Sequence, residues 1–167
     1  MKNILRNYQV QVQLLDNWCW AAVTSSVSRY YNSRSRWTQN NLAASLIDEQ
    51  CANDGNNTGF PPQCDTVFDV ATALRMTRNY APGVNRPLSL AAIKQQIDRQ
   101  WPVCCQIQWQ QLEGSHFVVI YGYENDWLRI GDPSRNAGAI DIPYNELVSG
   151  YRDDGEWVRS IGTTPAL

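Results

Sequence analysis

The chain has 167 residues, 43% apolar and 18% charged, which suits one hydrophobic core and excludes a disordered chain. Its 14 Lys and Arg against 16 Asp and Glu leave a net charge of -2, which excludes a general pull toward nucleic acid or anionic lipid. No stretch approaches the roughly 20 apolar residues of a membrane span, and the start M-K-N-I-L-R-N lacks the apolar run of a secretory leader, so the expectation is one domain over residues 1–167 with no cleaved signal peptide.

In chain order, apolar groups from Trp18 through Ala21, Ala22, Val23 and Val27 to Tyr30 and Tyr31 predict a helix over 18–32 with one buried face. Asp16 or Asn17 is placed to cap it. A second helix is predicted from the cap Thr38 to about Asp48, and turn formers make 52–62 a loop. A third helix is predicted from about Gln63 to Met76, and a fourth from near Ser89 to near Gln100. The pattern then changes to strands at 102–109, 115–123, 126–130, 138–142 and 156–162, with one short helix at Tyr144–Ser149. Helices followed by consecutive short-linked strands predict an α+β domain, an N-terminal helical half facing a C-terminal antiparallel sheet half across a cleft.

The cysteines are Cys19, Cys51, Cys64, Cys104 and Cys105, an odd number that leaves a free thiol unless one pairs between chains. A single His and no C-x-x-C argue against a structural zinc site, and no metal or cofactor is expected. Cys51 and Cys64 bracket the Gly/Pro-rich loop; they would be bridged in an oxidising compartment and free in cytosol, and the sequence does not choose. Cys104 and Cys105 are neighbours in a strand and point to opposite faces, which leads us to expect one of them in the core.

Cys19 lies at the first turn of the first predicted helix, in D-N-W-C-W-A-A, where the positive end of the helix dipole favours a thiolate. The thiolate is the nucleophilic form. His116 opens the apolar run G-S-H-F-V-V-I-Y-G-Y, which places its ring at the lip of a strand. An imidazole beside a thiol takes its proton and later protonates a leaving amine. Asp132 ends the next predicted strand, where antiparallel pairing brings it beside His116 to fix the ring's tautomer. Asn125 and Asp126 fall in the turn itself, and Asn136 is a weaker candidate orienter. An oxyanion needs N–H donors. The Cys19 backbone supplies one, and the Gln13 side chain, with Gln11 and Gln9 competing, supplies another. Trp18 and Trp109 are the candidate cleft-lining aromatics.

Together these residues resemble the papain-like cysteine peptidases, in the compact bacterial branch that includes effector proteases and peptidases that trim double-glycine leaders. The resemblance rests on Gln13, the run Asn17-Trp18-Cys19-Trp20-Ala21-Ala22, the strand from Gly114-Ser115-His116 to Gly122-Tyr123, and Ile130-Gly131-Asp132-Pro133. It implies Cys19 as nucleophile, His116 as base, Asp132 as orienter and Gln13 as oxyanion donor, selecting Gln13 over its neighbours by its spacing from the Cys. It also implies a papain-like fold and a protein substrate, cut at a small-residue or Gly-Gly site. The biological expectation is a bacterial effector or toxin, exported by a specialised secretion system, active in target-cell cytosol, and restrained by a cognate immunity or inhibitor protein. Rival readings are a Gln deamidase or cross-linking enzyme, a cell-wall amidase with the same chemistry, and an inactive binding domain.

Overall fold

The computed structural model describes residues 1–52 and 59–166. Most of the expected loop at 52–62 therefore lies outside the described residues. The described residues form five α-helices and seven strands. They run β1 (Lys2–Ile4), α1 (Cys19–Tyr31), α2 (Gln39–Leu46), α3 (Val70–Thr77), β2 (Tyr80–Val84), α4 (Leu90–Asp98) and β3 (Val103–Trp109). There follow β4 (Ser115–Glu124), β5 (Trp127–Asp132), β6 (Gly138–Pro143), α5 (Tyr144–Ser149) and β7 (Gly155–Thr163).

All seven strands join one antiparallel sheet in the order β2-β7-β3-β4-β5-β6, with β1 pairing along the far end of β4. The expected α+β class is present, but the sheet is not confined to the C-terminal half. Strands β1 and β2 come from the helical half and have no sequence pattern that marks them. Strand β2 carries Pro82 and Gly83 and survives because it is an edge strand with a register shift between Ala81 and Val84.

The third predicted helix is broken. Only a 3-10 turn forms at Pro62–Cys64, and α3 starts seven residues after the expected Gln63, where Asp69 accepts from the Thr72 N–H. Tertiary bonds hold the stretch between them out of a helix: Asp65 binds Asn17 and the Thr66 carbonyl accepts from the Trp20 indole. The cap expected at Thr38 is in place, and Ser89, near the expected start of the fourth helix, caps α4.

The core gathers Trp18, Trp20, Leu42, Leu74, Ile107, Ile120 and Trp157, all with at most 1% exposure. Helix α1 is buried on every side over Cys19–Ser28, because both the sheet and the N-terminal segment pack on it. Cys104 and Cys105 do face opposite ways, toward Tyr8 and Tyr31 and toward Tyr151 respectively. Both are fully buried free thiols, since both faces of β3 are covered; burial pushes the Cys104 thiol up to about 12. Cys51 and Cys64 are bridged, with Cα atoms 5.7 Å apart. Among the described residues, no helix is long and apolar enough to cross a membrane.

Candidate active site

Cys19 is the first residue of α1, and its N-cap is Trp18, not Asp16 or Asn17. The Trp18 side chain makes no capping bond, and the Asn17 backbone and amide groups donate to Asp65, at 2.9 and 3.3 Å. The first intrahelical bond runs from Ala22 N–H to Trp18 carbonyl, so the first-turn N–H groups keep their field directed out of the helix end, at the sulfur. No acidic residue stands in the first turn to oppose a thiolate there.

The three residues Cys64, Asp65 and Thr66 anchor this helix start. The Cys64 carbonyl accepts from the Trp18 indole at 2.7 Å, and the Thr66 carbonyl from the Trp20 indole at 3.0 Å. The disulfide to Cys51 holds that anchor in turn. Trp18 therefore lies in the core, fully buried against Phe60 and Trp20, and does not line the cleft. The reason is its indole N–H, which finds its acceptor inward.

His116 stands opposite Ile107 near the start of β4. Asp132 ends β5, one residue beyond the Val119–Gly131 pair, so the sheet register brings it beside His116 on one face. The imidazole Nε2 lies 2.7 Å from Asp132 Oδ1, and both side chains are buried. The Ser134 hydroxyl lies 3.1 Å from the same ring nitrogen, and the Ser134 N–H donates to Asp132 Oδ1 at 2.8 Å. With Nε2 so engaged, Nδ1 is the ring nitrogen left free to take the proton of the nearby Cys19 thiol.

Burial alone would lower the His116 pKa, but the hydrogen bond to Asp132 and the nearby Cys19 sulfur outweigh it and raise the value to about 9. Burial works the other way on Asp132; the hydrogen bond from His116, its charge and the Tyr151 hydroxyl hold the carboxyl well below the usual range. The arrangement is a buried carboxylate, an imidazole that carries a proton at neutral pH, and a thiol at a helix N-terminus. Such a set can transfer an acyl group through sulfur.

Gln13 sits on the extended segment that leads from β1 to α1. Its N–H donates to the Pro133 carbonyl at 2.9 Å. Buried Gln39 brackets it, accepting from the Leu14 N–H at 3.0 Å and donating to the Val12 carbonyl at 3.0 Å. Gln11 is tied to Ser25 and Ser26 of α1, which removes it from the competition for a donor role, and Gln9 is exposed. The Gln13 amide nitrogen meets the carbonyls of Leu15 and Asp16 at 3.0 and 2.7 Å, while its buried Oε1 has no partner among the described residues. Donating to an oxyanion therefore requires this amide to turn from the two carbonyls.

Trp109, at the end of β3, stacks on His116 with ring centroids 5.8 Å apart and planes 21° apart, and so covers the imidazole. Sequence reasoning missed Ser134, Tyr151, Arg152 and Gln39. Ser134 carried a signal, standing two residues after Asp132 where a backbone N–H can fold back to a carboxylate. The others come from distant segments and carry none. Asn125, Asp126 and Asn136 are not partners of His116. Among the described residues, no three His, Cys, Asp or Glu side chains gather as they would around a metal ion.

Residues 5–158 match the model of the Peptidase_C39 like family. No curated protein matches the chain. Among solved structures the chain is similar to the peptidase domain of Streptococcus ComA, a bi-functional ABC transporter involved in a quorum sensing pathway. The identity is 20% and the TM-score 0.61, over 95% of this chain and 98% of that one. It is also similar to a C39-like peptidase from Bacillus anthracis, at 15% identity and TM-score 0.64 over 98% of each chain. Xylellain, a cysteine protease from Xylella fastidiosa, matches at 14% identity and TM-score 0.56, over 98% of this chain and 85% of its own. At these identities the three structures show a shared fold.

Proposed function

The chain belongs to the Peptidase_C39 like family and is a cysteine protease of papain-like fold, and on that premise we propose that Cys19, His116 and Asp132 carry its reaction. The observation that supports this most is the buried bond between His116 and Asp132 at 2.7 Å, with Cys19 close enough to the ring to raise its pKa. The Cys19 thiolate attacks a peptide carbonyl carbon. The oxyanion receives the Cys19 N–H and the Gln13 amide, once that amide leaves the Leu15 and Asp16 carbonyls. Protonated His116 gives its proton to the leaving amine as the C–N bond breaks, and Asp132 holds the ring throughout. Water then attacks the thioester, His116 takes its proton, and the acid product leaves with the sulfur free again.

The substrate in this reading is a protein or peptide cut beside small residues, such as Gly-Gly. The wider role is that of an exported effector that cleaves a specific protein of a target cell and is blocked by a cognate inhibitor. The Cys51–Cys64 bridge supports passage through an oxidising compartment on the way, where such bonds form and persist.

The deciding experiment compares wild type with Cys19→Ala in a cell lysate and maps new protein N-termini. New termini with wild type alone support the assignment. Equal cleavage by both proteins would overturn it. A gain of about one dalton on glutamines with no new termini would transfer the same residues to deamidation.

A further inference from the structure

Four groups from three segments converge on the buried carboxylate of Asp132. His116 Nε2 and the Ser134 N–H take Oδ1, at 2.7 and 2.8 Å. The Tyr151 hydroxyl donates to Oδ2, and Arg152 Nη1 lies 3.6 Å from that same oxygen. Only His116 has a part in the reaction proposed above. Tyr151 is itself buried, and a buried phenol is costly unless its hydroxyl is paired. Its ring lies parallel to Trp109, with centroids 6.4 Å apart, and Trp109 covers His116.

The backbone is shaped to bring Tyr151 there. Arg152 and Asp153 follow it with φ of 53° and 62°, a left-handed pair with no glycine. Left-handed backbone at residues other than glycine is strained and persists only where the surroundings impose it. The turn closes through Tyr151 N–H to the Gly155 carbonyl at 3.0 Å and Gly155 N–H to the Tyr151 carbonyl at 2.7 Å. Gly155 must lack a side chain: a Cβ there would stand 2.4 Å from Ile107 Cγ2. Gln110 and Gln111, beyond the end of β3, bind Asp154 and tie the turn to the strand that bears Trp109.

We propose that Tyr151 is a positioning residue of the reaction, its hydroxyl holding Asp132 Oδ2 so that Oδ1 stays aimed at His116 and the ring stays turned to Cys19. The inference rests on the assignment of those three residues made above. A carboxylate has two equivalent oxygens and turns easily about its Cβ–Cγ bond. Without the hydroxyl, the Ser134 N–H and the Arg152 guanidinium compete to set its angle, and the imidazolium loses part of its partner. The other charged or titratable groups at this cluster are Cys19, beside the ring, and Cys105, beside Tyr151.

Tyr151→Phe keeps the ring on Trp109 and removes one oxygen. The readouts are kcat, KM, the pH profile, and the NMR titration of His116, which is the only histidine. We expect kcat to fall about tenfold with KM within about twofold. The His116 midpoint and the alkaline limb of kcat should move down together by roughly half a unit or more. Wild-type kcat with an unmoved or raised midpoint would overturn the proposal. His116→Ala is run beside it. If His116→Ala stays active, the assignment of the three residues fails; if it is dead while Tyr151→Phe is like wild type, only the role of Tyr151 fails. Should Tyr151→Phe not fold, the wild type decides. A slowly exchanging Tyr151 hydroxyl proton whose shift follows the His116 titration supports the proposal, and an absent or unresponsive signal overturns it.

Discussion

The backbone N–H of Gln13 donates to the carbonyl of Pro133 at 2.9 Å, which joins the segment entering α1 to the residue after Asp132. Gly131 makes this possible. That segment crosses β5 so closely that a Cβ on Gly131 would stand 2.7 Å from Val10 Cγ2. The helical and stranded sides of the site are therefore registered by a crossing without room for a methyl group.

Gly131→Ala should displace the segment and cost about 1–3 kcal/mol, the usual penalty of overpacking. Catalytic turnover should fall with it, because Gln13 and Asp132 lose their common register. Adding Val10→Ala should restore much of both. Denaturant melts and kcat for the two single variants and the pair test this; full additivity of the two losses would refute the contact as the cause.

Gln39 acts through the backbone on either side of Gln13. Gln13→Ala should lower kcat by about 10²-fold, as expected for one oxyanion donor. Gln39→Ala should lower it by about tenfold. The double variant should be no worse than Gln13→Ala, since residues acting as a unit are non-additive. Steady-state kinetics on the three variants decide between this coupling and two independent losses.

The pH dependence has a definite sign on each side. The His116 pKa is raised to about 9, so its stabilisation is fully present below its ordinary value near 6.5 and is lost as pH rises through about 9. The Asp132 pKa is lowered, so its stabilisation is present above about 3.9 and is lost as pH falls through the depressed value. These two groups place a plateau of stability between about pH 4 and 6.5. Activity should end on the alkaline side near pH 9, where the imidazole loses its proton. Asp132→Asn should move that limb toward 6.5 and lower kcat/KM by at least about 10²-fold. Thermal melts and kcat/KM across pH 4 to 10 are the measurements.

The Cys51–Cys64 bridge closes a loop of separation 13, worth about 3 kcal/mol by chain entropy. Cys51→Ser with Cys64→Ser should therefore lower Tm by roughly 6–12 °C. The double variant is preferable to a reductant, which would also reverse any oxidation of the Cys19 thiol and so change activity by itself. Because Cys64 and its two successors hold Asn17, Trp18 and Trp20, we expect kcat to drop several-fold even well below the melting point. An unchanged kcat would show that the helix start holds without its anchor.

Much of the site is legible in the chain because its signals are local. A Cys at a predicted helix start, a His at the lip of an apolar strand and an Asp at the end of the next strand follow from period, caps and short antiparallel connections. Trp18 was misread as a cleft residue because aromatic side chains look alike in sequence whether they face solvent or core; the Cys64 carbonyl that accepts its indole lies 46 residues away. The expected helix from Gln63 failed for the same kind of reason, since its first turn is claimed by Asn17 and Trp20.

The sequence by itself determined the class of fold and most of its elements, and it pointed to Cys19, His116 and Asp132 as one site, because neighbours in the chain set helix starts and strand registers. The tertiary structure alone decided which side chains hold those groups in place. Tyr151 reaches Asp132 across 19 residues and Gln39 reaches Leu14 across 25. Hydrogen bonds between distant segments depend on how the sheet twists and where helices dock on it, and no local pattern of residue types encodes that.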